Sequence, residues 1–187
     1  MMRPMKSTTV TGAVITALCV ILPVVSAAAQ SAEVPKLALI GVAFDGSRAN
    51  SIQPGDSSTA IGAADRMRAV LRESSGIMLV DTAMLSAEVG KSEAPGIVCS
   101  TDVACARRAA RAVGARWVVV GRLTKLSNLI WYLSGQLVDV ESGRVALSDE
   151  FELKGQRDEM VPRGAASLAR RIGRTASGEL DTSSPRR

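Results

Sequence analysis

Two cysteines lie six positions apart in the stretch Cys99-Ser-Thr-Asp-Val-Ala-Cys105, in a chain of 187 residues with three cysteines and no histidine. Thiols at this spacing could bridge to each other, hold a metal or exchange electrons. Zinc usually takes four ligands, and without histidine the others would be carboxylates, an uncommon structural set. Redox pairs are usually spaced Cys-x-x-Cys. A structural disulfide between Cys99 and Cys105 is the favoured reading in an oxidising compartment. It constrains the local fold. Six residues along one α-helix separate two Cα atoms by ~9 Å, and a disulfide spans at most ~7 Å. One helix therefore cannot carry both. With Ser100 or Thr101 as the helix cap, Cys105 falls in the first turns and Cys99 in the preceding loop. Closing so small a ring contributes about 2 kcal/mol by the chain-entropy argument.

Other chemistry is narrow. The lack of histidine removes the commonest general base and excludes Ser-His-Asp and Cys-His arrangements. Neither a Gly-x-Ser-x-Gly elbow nor a phosphate-binding Gly-x-x-x-x-Gly-Lys-Ser loop occurs. Lys125 lies two residues before Ser127, so a serine–lysine dyad is open, beside the simpler reading of a polar turn between strands. Glu150 and Glu152 share one face of a strand. They fit either an acid/base or cation site or an exposed salt-bridged edge. Trp117, Trp131 and Tyr132 are most of the few aromatics; they pack on a sheet, unless Trp131 faces solvent and anchors a partner. No cofactor and no metal is expected.

The compartment follows from the amino terminus, MMRPMKSTTVTGAVITALCVILPVVSAAAQ. Arg3 and Lys6 precede an uncharged apolar run from about Val10 to Val25, and Ala27-Ala28-Ala29 supplies small residues. This is the plan of a secretory signal peptide, residues 1–29, with cleavage after Ala29. The apolar run is shorter than the ~20 residues of a spanning helix, so no stable membrane insertion is expected after cleavage. Cys19 leaves with the leader, and Cys99 and Cys105 remain as an even pair. The remaining 158 residues hold 21 basic and 18 acidic side chains, a formal charge of +3. A mildly basic exported chain of this length is one domain without a case for nucleic acid as a partner.

The elements that must position these residues read in the order β-α-β-(α)-α-β-β-β-α. Lys36 to Phe44 is a buried strand, and 45–58 a polar loop. A helix follows, with Ile61, Ala64, Met67 and Leu71 on its inner face and Gly76 as its left-handed end. Ile77 to Asp81 is a short strand, and Thr82 to Val89 a helical turn. A helix runs from about Asp102 to Val113, with Arg107, Arg108 and Arg111 on a solvated face. Arg116 to Leu123 is a strand, Thr124 to Asn128 a break, and Leu129 to Val140 a strand with Leu129, Trp131, Leu133 and Leu137 on one side. The turn at Gly143 needs positive φ, and Val145 to Leu153 returns. A helix from about Glu159 to Thr175 closes the domain, with Asp158 as its cap and Pro162 in its first turn. The fold class is mixed α/β: a single mixed sheet of about five strands with helices packed against it, spanning 30–175. Residues 176–187 read as a disordered tail.

Three segments, LIGVAFDG, SGIMLVD and AVGARWVVVGRLTKLSNLIWYLSGQLVDVESGRV, resemble the amino-terminal domain of the translocation protein TolB and the related core of CsgG-like outer-membrane assembly proteins. TKLSNLI and ELKGQRDEM resemble a family of small secreted bacterial proteins of unknown function built on that domain. The resemblance covers about Lys36 to Ile172. It implies a TolB-like fold and an exported, periplasmic, non-enzymatic module that contacts unknown envelope proteins. The chain lacks the blade repeats and lipobox of those relatives, so their pores and partners do not carry over, and no catalytic residue is implied. On this reading the contact surface is the 124–128 turn and the adjoining meander, with Lys125, Ser127, Asn128 and Trp131 as contacts. The meander's edge strand could accept an extended peptide. A periplasmic ligand-binding protein, or an enzyme using carboxylate or lysine chemistry, is the alternative.

Overall fold

A computed structural model describes residues 33–95 and 98–179. The expected leader, and all of the expected tail beyond residue 179, lie outside them. The elements follow the expected order: β1 (Lys36–Asp45), α1 (Asp56–Arg72), β2 (Met78–Leu79), α2 (Thr82–Ser92), α3 (Val103–Ala112), β3 (Trp117–Lys125), β4 (Ile130–Asp139), β5 (Val145–Lys154) and α4 (Arg157–Ala176).

The strands form one five-stranded sheet in the order β2-β1-β3-β4-β5. β1 lies parallel to β2 and β3, and β3, β4 and β5 form an antiparallel meander. The sheet is mixed because the early strands are joined through helices, which permit parallel pairing, while the late ones are joined by short turns that force antiparallel pairing. A bulge at Ile40–Gly41 in β1 turns the second half of the strand over. Leu37 and Leu39, then Val42 and Phe44, thereby all reach the same core.

That core lies between the sheet and helices α1 and α4. Leu37, Leu39, Val119, Leu123, Trp131, Leu133 and Leu137 from the strands meet Met67, Leu71, Val161, Leu168 and Ile172 from the helices. A smaller core on the opposite face joins Ala38, Val118, Val120 and Val138 to Leu85 of α2 and Ala106 and Ala110 of α3. Helices α2 and α3 cover β1, part of β3 and the Val138 end of β4, so the outer part of this face is left open.

Several local expectations are corrected. On α1 the buried stripe runs through Ala60, Ala63, Ala64, Met67 and Leu71, and Ile61 is turned outward at 64% exposure. The helix ends at Arg72, and Gly76 uses its φ of 76° in the turn that follows. α2 is a full helix because Asp81 caps it, its carboxylate accepting from the amides of Ala83 and Met84. α3 is capped by Asp102, not by Ser100 or Thr101; its carboxylate accepts from the Cys105 amide at 2.6 Å. α4 starts at Arg157 with Gln156 as cap, so Pro162 lies in its second turn. Leu129, expected on the face of Trp131, precedes β4 and is exposed. Gly143 has φ 74° as expected.

The arginines of α3 are less solvated than their spacing implied. Arg107 donates to the carbonyls of Val140 and Glu141 at 3.1 and 2.9 Å, and Arg111 to that of Val140 at 2.9 Å. The helix thus holds the β4–β5 turn from below. Among the described residues no helix is long and apolar enough to cross a membrane.

Candidate functional site

Lys125 lies inside β3, which runs two residues further than its apolar run. Alternation along the strand puts Val119, Leu123 and Lys125 on the helix-covered side. Lys125 is completely buried. Its Nζ lies 2.5 Å from Oδ2 of Asp56, which is itself buried at the first position of α1. Asp56 also accepts from the Gln53 amide at 2.7 Å and from Arg157 at 3.3 Å. Burial pushes the Asp56 carboxyl up, but the hydrogen bonds from Lys125 and the Gln53 amide outweigh it and hold the group below its ordinary value. The Trp131 ring lies 5.4 Å from Lys125 Nζ and is 1% exposed.

Two of the four residues expected to touch a partner are therefore interior. Lys125 holds a buried ion pair, and Trp131 is a core side chain opposite it on β4. Ser127 is half-buried and Asn128 exposed in the turn between β3 and β4, where Ser127 Oγ accepts from the Leu129 amide at 3.3 Å. With Lys125 closed off by Asp56, the two residues of the serine–lysine idea serve different parts of the fold. Asp56 and Arg157 went unremarked in the sequence. Carrying the period-2 pattern of β3 two positions further would have put Lys125 inside and demanded an acidic partner for it.

The accessible chemistry lies on the open half of the sheet. Thr124 of β3, Tyr132, Ser134 and Gln136 of β4, and Ser148, Glu150 and Glu152 of β5 point there, because each is opposite a neighbour of the same face. Arg122 pairs with Asp45 at 3.4 Å. The Ser47 hydroxyl and amide, with Arg122, hold the Asp45 carboxyl below its usual range. Tyr132 donates to Glu152 at 3.2 Å; burial and this bond push its phenol up. Glu152 also meets Lys154 at 3.2 Å. Asp149, on the opposite face, pairs with Arg171 of α4 at 2.8 Å. Of the two glutamates given two readings, Glu152 is ion-paired at the exposed edge, while Glu150 makes no ion pair among the described residues.

The cysteine pair builds one wall of this face. Cys99 and Cys105 are joined, with Cα atoms 4.8 Å apart, and both sulfurs are buried. Cys105 sits at the start of α3 and Cys99 in the loop before it. The Ser100–Thr101 loop between them meets Arg122, Ser134, Gln136 and Ser148 around a shallow cavity of about 210 Å³. Among the described residues no cluster of three or more His, Cys, Asp or Glu side chains could hold a metal ion. The arrangement offers hydroxyls, amides and charges on one open sheet face, with the Arg122 guanidinium among them.

A protein family described as "Protein of unknown function (DUF2380)" matches residues 35–172. Among solved structures, the C-terminal domain of LpoB from Salmonella enterica is similar at 21% identity and a TM-score of 0.52, over 65% of this chain and 84% of that one. Escherichia coli LpoB is similar at 22% identity and TM-score 0.50, over 66% of this chain and 59% of that one. TolB from Acinetobacter baumannii is 16% identical at TM-score 0.48, over 78% of this chain and 29% of that one. The likeness to LpoB is one of fold. No curated protein matches the sequence.

Proposed function

We propose that this chain, which belongs to the DUF3280 family of proteins of unknown function, is an exported, non-enzymatic module that contacts other proteins of the bacterial envelope. Its working surface is the open face of the β3–β4–β5 meander, with Asn128 and Ser127 at one end and the Ser100–Thr101 loop along one side. The observation that carries the reading is the uneven covering of the sheet. Helices α1 and α4 cover one face apart from its β5 margin, while the other leaves its outer part as a polar platform braced by a disulfide. An open polar sheet face with a cavity of only about 210 Å³ suits macromolecular contact better than small-substrate chemistry, which calls for larger concave sites. The LpoB-like fold and the leader-like amino terminus support an envelope location.

A photo-crosslinking residue placed at Asn128 or Gln136 in the native host tests this. A discrete protein adduct is expected from both positions and none from Arg66, which lies on the helical side. Absence of any adduct from Asn128 and Gln136 would count against the role. Sequencing the amino terminus of the purified protein tests export, with Gln30 as the expected first residue.

The small-ligand reading keeps one supporting observation, the cavity around Arg122, Ser134 and Gln136. A thermal shift with a metabolite, abolished by Arg122→Ala, would favour it.

A further inference from the structure

The geometry points to the outer edge of β5 as a docking strand for an extended segment of a partner protein that alternates basic and apolar residues. This rests on the protein-contact reading above and names the partner chemistry of that surface. β5 is ten residues long, ends the sheet, and pairs on its outer side with no strand among the described residues. Such an edge carries a row of unused backbone donors and acceptors, and a chain laid along it gains main-chain hydrogen bonds.

The side chains of β5 specify what that chain carries. On the open face Glu150 and Glu152 follow each other at alternate positions, both exposed. Glu150 makes no ion pair among the described residues, and Glu152 has only the exposed Lys154 and the Tyr132 hydroxyl. On the helix side Leu147 and Phe151 are half-buried and rest on the core, flanking Asp149, whose charge is met by Arg171, and they leave apolar surface for an incoming strand to cover. A segment that is basic on one face and apolar on the other satisfies both rows at once.

In a two-fold antiparallel pairing of two copies, residues of like face lie opposite one another, so the pairing centres on a single residue. Registers centred on Glu150 or Phe151 set glutamate against glutamate, which is destabilising. A basic strand meets no such repulsion in any register.

The test uses the disulfide-bonded mature protein and three end-capped peptides. They are Thr-Lys-Val-Lys-Val-Lys-Thr, its counterpart with glutamate for lysine, and the same-composition Thr-Val-Val-Lys-Lys-Lys-Thr. The alternating lysine peptide is expected to slow amide exchange along β5 and to bind at least about tenfold more tightly than the other two. In the exposed double variant Glu150→Lys/Glu152→Lys the preference is expected to invert toward the glutamate peptide. Equal binding of all three peptides, no protection of β5 at millimolar peptide, or self-association of the unmodified protein through β5 would each overturn the assignment. Crosslinked partners at Asn128 and Gln136 without β5 protection would remove this partner chemistry while leaving the contact role standing.

Discussion

Lys125 Nζ lies 2.5 Å from Asp56 Oδ2, and neither side chain is more than 1% exposed. The contact ties the last residue of β3 to the first residue of α1, and Arg157, reaching Asp56 at 3.3 Å, adds the first residue of α4. Three elements distant in sequence are fixed at one point. A buried pair of this kind is costly to desolvate, so its net contribution is modest, while removal of one partner strands the other charge.

Asp56→Ala is therefore expected to lower stability by ~3–5 kcal/mol in urea unfolding, because Lys125 is left buried and unpaired. The double variant Asp56→Leu/Lys125→Met should recover much of that loss. A double variant no more stable than Asp56→Ala would show that the pair does not act as a unit.

The pH dependence follows from the same carboxylate. Asp56 is held below its ordinary value in the folded protein, as is Asp139, through the amide and hydroxyl of Ser142 and against the opposing effect of burial. A depressed carboxyl binds fewer protons in the folded than in the unfolded state. Its contribution is complete above the unfolded value, about 3.9, and is lost as pH falls through the lower folded value. Stability measured by urea titration should be flat in these groups from pH 7 to about 5 and then decline. Asp56→Asn should flatten the acidic limb while lowering the plateau.

The element order, the mixed sheet, the disulfide and the turn at Gly143 were legible in the sequence because each rests on a local pattern: apolar runs, cysteine spacing, a glycine between strands. Lys125 was not, because its polarity signals a turn and only the strand's parity, set by distant pairing with β4, turns it inward. Trp131 was assigned to the correct face of β4, but whether that face meets solvent depends on α1 and α4, which no local pattern reports. Arg107 and Arg111 looked like solvated side chains, since the carbonyls they hold belong to a turn about thirty residues later.

The disulfide has a mechanical role that thiol chemistry alone does not reveal. It closes the loop carrying Ser100 and Thr101 against the open sheet face. Cys99→Ala/Cys105→Ala is expected to cost about 2 kcal/mol, a fall of roughly 4–8 °C in Tm for a domain of this size. Faster amide exchange should be confined to the 98–103 loop and the first turn of α3. A thiol titration of the mature protein, from which Cys19 has left with the leader, should find no free sulfhydryl until a reductant is added.

The seat of α4 on the sheet gives the sharpest contrast between glycines. A Cβ on Gly135 of β4 would come 2.8 Å from Leu168 Cδ2, and a Cβ on Gly164 of α4 would come 2.7 Å from Leu153 Cδ2. Each partner supplies a glycine beneath the other's leucine, so the helix lies close to the strands at two successive points. Both leucines are at most 5% exposed, so neither can swing away freely. Gly135→Ala should destabilise by ~1–3 kcal/mol through overpacking. Gly164→Ala gains about 1 kcal/mol of helix propensity, yet is expected to be net destabilising for the same steric reason. Gly62 of α1 meets nothing within 4 Å, and Gly62→Ala should therefore stabilise by ~0.5–1 kcal/mol. If Gly164→Ala proved as stabilising as Gly62→Ala, the close approach of α4 to Leu153 would be refuted. Pairing Gly135→Ala with Leu168→Val separates sterics from backbone effects: the double variant should lose less than the two single losses added together.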